Sequence, residues 1–161
     1  MKRMKSEKEA DYDIIKLYLK GGFMKDLLKT NVYDISDNII IVGSCLPQMQ
    51  PKAFEKLKNM SNHIYDICLE STHLNMAITK IIGMLSRVKV KKVIFATVDK
   101  SPHCIQVHYI ENEIKKAMDL SNIEIIHYIC VNNELIEISN DTINKSKSLL
   151  KIQTEDNMQV I

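Results

Sequence analysis

Four cysteines, Cys45, Cys68, Cys104 and Cys130, each fall at or just after a short apolar run, and His73, His103, Glu70, Asp99 and Lys100 fall in the same stretches. Soft sulfur and imidazole donors gathered together are what a transition metal, an iron–sulfur cluster or a thiol redox centre requires. The first expectation is therefore a thiol-centred protein. Cys45, Cys68, Cys104 and His73 form the candidate metal set, and zinc, iron or an iron–sulfur cluster is the candidate cofactor. The competing account is that cysteine is a small hydrophobe well suited to burial at strand ends.

Cys104 has a further argument. Ser101 as helix cap and Pro102 as first helical residue place it in the first turn of a helix, where unpaired amides and the helix dipole favour a thiolate. Cys104 is thus the expected catalytic sulfur, with His103 and Asp99 as auxiliary ligands or proton carriers. His103 and His108 are not spaced as a zinc-binding helical pair. His108 is expected on a helix surface, and His63 and His127 as satisfied sheet or loop residues.

Geometry limits the sulfur set. Adjacent strands lie about 4.8 Å apart, so four strand ends spread over roughly 14 Å, too far for one metal to collect every sulfur. If the first and third strands are neighbours, Cys45, Cys104 and His103 are the expected subset, with Cys68 third.

A second, non-catalytic reading uses the same rim. Gly43 and Ser44 after the first strand, and Thr72, Lys100 and Ser101 at two helix starts, could hold a nucleotide or another small anionic ligand near backbone amides. Against it, there is no G-x-G-x-x-G and no Walker lysine pattern, and the chain has four glycines in all. A third reading makes the domain an assembly partner, a homo-oligomer or a subunit of another protein, through its N-terminal helices or the exposed end of the sheet.

These residues need a scaffold that brings strand ends to one edge. From Asn38 onward, short apolar runs alternate with amphipathic stretches, the pattern of repeated β-α units. Ile39-Ile40-Ile41-Val42 is apolar at every position, as in a strand covered on both faces of a parallel sheet. Further strands are expected at 64–68, 93–96 and 123–129. Helices are expected from Pro51 to about Met60, after a Ser71 or Thr72 cap to about Val88, and from Pro102 to about Leu120.

The final strand at 135–138 follows Asn132-Asn133 closely enough for an antiparallel hairpin, and residues 141–150 read as a closing helix. Residues 7–20 and about 23–28 read as two N-terminal helices. The expected organisation is a helical appendage over 1–37, an α/β domain over 38–152 and a frayed tail over 153–161. Its fold class is an open, mainly parallel sheet of four to five strands with helices on both faces, Rossmann-like or flavodoxin-like.

The 161 residues carry 22 basic and 20 acidic side chains. So balanced a charge implies no field that would recruit nucleic acid or anionic lipid, and the start MKRMK leads into no long apolar stretch, so neither a membrane nor a nucleic-acid partner is expected. The scattered cysteines fit a reducing compartment, and a cytoplasmic location is the expectation.

Overall fold

The computed structural model describes residues 24–159 apart from Asp34, Ser36, Asp37 and Val88. The first expected helix, over 7–20, lies outside the described residues.

Strand β2 (Asn38–Gly43) is the spine of the sheet, with Ile39, Ile40, Ile41 and Val42 fully buried. It pairs in parallel with β3 (Ile64–Ile67) on one side and β4 (Lys92–Val98) on the other. An apolar run can sit there only if both faces are covered. Ile39 and Ile41 pack with α3 (Leu74–Arg87) and α4 (Pro102–Ile114), through Ala77, Ile81, Met84, Val107 and Ile110. Ile40 and Val42 pack on the opposite face with α1 (Leu46–Met49) and α2 (Pro51–Lys58), through Leu46, Ala53, Phe54 and Leu57.

Beyond β4 lie β5 (Glu124–Val131), parallel to it, and β6 (Glu134–Ile138), antiparallel to β5. Asn132 and Asn133 make the two-residue turn with φ of 51° and 62°, the left-handed pair that matches the twist of a tight hairpin and that asparagine tolerates. The turn also braces the start of α2. Asn133 accepts from the Lys52 amide at 3.1 Å and donates its own amide to Gln50 Oε1 at 2.6 Å.

The sheet has six strands among the described residues, in the order β1-β3-β2-β4-β5-β6. The extra one is β1 (Met24–Asp26), where the second N-terminal helix was expected; it runs parallel to β3. Six residues cannot sustain an isolated helix, whereas the free margin of β3 offers hydrogen bonds. The Asp26 carboxylate then turns the chain by accepting from the Leu28 amide at 2.9 Å, and Leu27 enters the core fully buried.

After β6, Ser139 caps α5 (Asn140–Ser146), which buries Ile143. Of the tail expected to fray, residues 153–159 are helical, in α6 (Leu149–Gln159), tied back by Lys145 to Glu155 at 2.8 Å. No helix among the described residues is long and apolar enough to cross a membrane.

Candidate functional site

The chain leaves β2 for β3 on one side, then crosses back to β4 on the other, so the strand order reverses between β2 and β4. In open sheets of this kind the crevice beyond the carboxyl ends of those strands is where ligands bind. The loop after β2 is held there by the Ser44 amide donating to the Ile67 carbonyl at 3.1 Å, and the Ser44 hydroxyl donates to Asp66 Oδ2 at 2.6 Å. Burial raises the Asp66 carboxyl above its ordinary range, against the pull of that Ser44 bond.

Cys45 and Cys104 meet in this crevice, sulfur to sulfur at 3.7 Å, both as free thiols. Two local features bring Cys104 there. Ser101 caps α4, accepting from the Cys104 amide at 3.2 Å with Pro102 opening the helix, and Gly43 leaves room, since a Cβ at that position would lie 3.3 Å from Cys104 Sγ. Burial, and then Cys104 beside it, push the Cys45 thiol up to about 11. A small cavity of about 90 Å³ adjoins the pair, lined also by Ser44, Cys68, Ser101 and His103.

Of the expected subset, Cys45 and Cys104 are in contact, while His103 and Cys68 only line the same cavity. Thr72 and the exposed His73 line neither this cavity nor the larger one described below. Helix α3 starts at Leu74, later than the expected caps, and the Ser71 hydroxyl donates to the Cys68 carbonyl instead. Cys130 pairs with Val98 and Leu135 across the sheet and sits 1% exposed in the apolar cluster, where burial pushes its thiol to about 12. No three His, Cys, Asp or Glu side chains among the described residues are grouped so as to hold a metal ion.

Asp99 and Lys100 fall elsewhere. With Ser101 they line a larger cavity of about 420 Å³ between the carboxyl ends of β4 and β5, α4 and α5. Lys100 has φ 63°, a turn conformation that aims the chain from β4 back toward α4.

Thr97 and His108 also line this cavity, and they head a buried chain of hydrogen bonds. Thr97 Oγ1 lies 2.9 Å from His108 Nε2, His108 Nδ1 lies 2.9 Å from His127 Nδ1, and His127 Nε2 lies 2.6 Å from Glu111 Oε2. Glu111 is held in turn by Asn140 at 2.8 Å and Lys115 at 2.5 Å. Burial works against its charge, but the bonds from His127 and Lys115 prevail and hold its carboxyl down at about 2.

His108 is 1% exposed, which corrects its expected place on a helix surface. Burial, with His127 adding to it, lowers it to about 3, so the ring is neutral. His127 is a satisfied sheet residue as expected, stacked on Phe95 with centroids 5.1 Å apart. The missed signal was a polar stripe on α4. Cys104, His108 and Glu111 recur at helical spacing and are all buried, so a single inward-facing line carries both the thiol and the relay.

No curated protein and no solved structure matches this chain. A family model described as a Rossmann-like domain matches residues 35–160, from the approach to β2 to the end of α6. With its strand reversal and rim crevice, the chain belongs to the Rossmann-like domain family.

Proposed function

We propose that this is a dithiol protein in which Cys45 and Cys104 cycle between two thiols and a disulfide. The observation that carries the reading is their 3.7 Å sulfur separation, between residues 59 apart in sequence. Forming the bond needs the sulfurs to close to about 2.05 Å. The oxidant is a small-molecule disulfide. Partly exposed Cys45, through the small thiolate fraction that its raised pKa of about 11 leaves, attacks one of its sulfurs and releases one thiol; Cys104 then attacks the Cys45 sulfur and releases the second. Two electrons pass to the small disulfide, and the two protons lost by the cysteines end on its thiols. Such a pair belongs in a reducing compartment such as the cytoplasm, where it stays reduced until challenged.

The test is incubation of the full chain with a graded series of oxidised and reduced glutathione, followed by peptide mapping under non-reducing conditions. A Cys45–Cys104 cross-linked peptide that disappears on Cys45→Ser is the expected result. Recovery of singly modified cysteines alone, with no cross-link at any ratio, removes the reading.

A second reading, a small anionic ligand held without catalysis, is favoured by Lys100 and Ser101 lining the larger cavity together. A thermal-shift screen of nucleotides and phosphorylated metabolites separates it from the first, since it requires a shift that survives Cys104→Ser.

A further inference from the structure

We infer that the 420 Å³ cavity at the carboxyl ends of β4 and β5 is a proton-accepting site for a compact, largely apolar molecule bearing one weakly acidic hydroxyl, such as a phenol. Its walls are mainly hydrocarbon, from Val98, Pro102, Ile105, Ile138 and Ile143, which suits a small apolar body. At one end the wall changes character. There Thr97 and His108 each line the cavity while being 1% exposed, and behind them runs the imidazole relay to Glu111.

The direction of that relay follows from counting protons. Glu111 is a carboxylate and can only accept, so His127 Nε2 carries hydrogen; in the relay we infer, its Nδ1 offers a lone pair to His108. His108 Nδ1 must then donate to it, which leaves His108 Nε2 as an acceptor for the Thr97 hydroxyl. Every bond points away from the cavity. The Thr97 oxygen, having given its hydrogen inward, keeps a lone pair free for a hydroxyl arriving from outside.

A ligand O–H at that point loses its proton to Thr97 Oγ1, Thr97 passes its own to His108 Nε2, and His108 passes the Nδ1 proton to His127 Nδ1. The ligand keeps the electron pair as an oxyanion. The positive charge comes to rest on His127, against the Glu111 carboxylate, and His108 is neutral before and after. This fits a ring that burial has made nearly impossible to protonate by itself. The charged groups around the path are Glu111 on α4, Lys115 just past its end, and Asp99 and Lys100 at the cavity rim; α5 contributes the neutral Thr142 and Ser146. Lys100 is the cation available to the oxyanion.

The probe is 4-nitrophenol with a series of substituted nitrophenols, whose anions absorb visible light while the neutral forms do not. At a pH well below the probe's own midpoint, the protein should produce a saturable phenolate band that Cys45→Ser leaves in place. Thr97→Ser should retain the band. Thr97→Val, which preserves the shape of the side chain, should still bind the probe by equilibrium dialysis but without the band. Ring ¹⁵N spectra should place hydrogen on His108 Nδ1 and His127 Nε2 in the free protein. A probe bound only in its neutral form, a band that survives Thr97→Val, the opposite tautomers, or no binding by any member of the series would each overturn the proposal.

Discussion

The Nδ1 atoms of His108 and His127 lie 2.9 Å apart in the interior, so one ring must supply a hydrogen and the other a lone pair. Two imidazolium ions could not occupy these positions. The pair therefore admits at most one positive charge, and the Glu111 carboxylate on the far nitrogen of His127 determines which ring bears it.

Acid should weaken the fold through His108. Its folded value is about 3 against 6.5 for a free side chain, so below 6.5 the unfolded chain takes up a proton that the folded ring refuses. Stability is lost as pH falls through that window, at a slope approaching about 1.4 kcal/mol per pH unit for one proton. Urea titrations between these limits should show the slope, and His108→Gln should flatten it while lowering stability at neutral pH.

Glu111 adds a second window at lower pH. Its folded value is about 2 against 4.5 unfolded. A depressed carboxyl contributes stability that is fully present above 4.5 and is lost as pH falls toward 2. Glu111→Gln should therefore be less stable than the parent at neutral pH, and the difference in urea midpoint should shrink as acid is added. A constant gap across the range would show that the carboxylate charge is not what stabilises.

Gly43→Ala tests the crevice without touching a reactive group. The added methyl would sit 3.3 Å from Cys104 Sγ and 3.8 Å from the Thr97 side chain. A few tenths of an ångström of displacement in a packed site should cost about 1–3 kcal/mol. Thermal melts should register that loss, and the Cys45–Cys104 cross-link should form more slowly because the sulfurs are pushed out of register.

Thiol labelling should follow burial. Cys45 and Cys68 are partly exposed, whereas Cys104 is 8% and Cys130 1% exposed. An alkylating agent followed by mass spectrometry should modify Cys45 and Cys68 in the native protein and reach Cys130 only on unfolding. Because the Cys45 thiol is raised to about 11, its labelling rate should climb by about tenfold per pH unit above neutrality, as the thiolate fraction rises.

Most of the scaffold was legible from local patterns. Four consecutive apolar residues in β2 demanded cover on both faces, Ser101-Pro102 marked the start of α4, and Asn132-Asn133 marked the antiparallel hairpin. The approach of Cys45 to Cys104 followed once neighbouring strands were assumed, because Cys45 lies in the loop after one strand and Cys104 in the first turn of the helix after the other. What escaped notice depends on partners distant in the chain. Met24–Asp26 is extended only because β3 has a free margin beside it. His108 looked like a surface residue because a polar side chain on a helix is usually solvated, and only its partners Thr97 and His127, on two different strands, make its burial tolerable. His73 looked like a ligand because of its position after β3, yet α3 begins at the next residue and leaves it facing water.

The two outer margins of the sheet close it off from self-propagation. On one side β1 is three residues long and exposes Lys25 and Asp26; on the other, β6 exposes Glu134 and Glu137, with Glu134 paired to Lys56. A second copy arriving edge to edge would have to desolvate those charges for very few new backbone bonds. The six strands among the described residues therefore offer little template for a seventh from outside, which protects an isoleucine-rich sequence from fibrillar assembly.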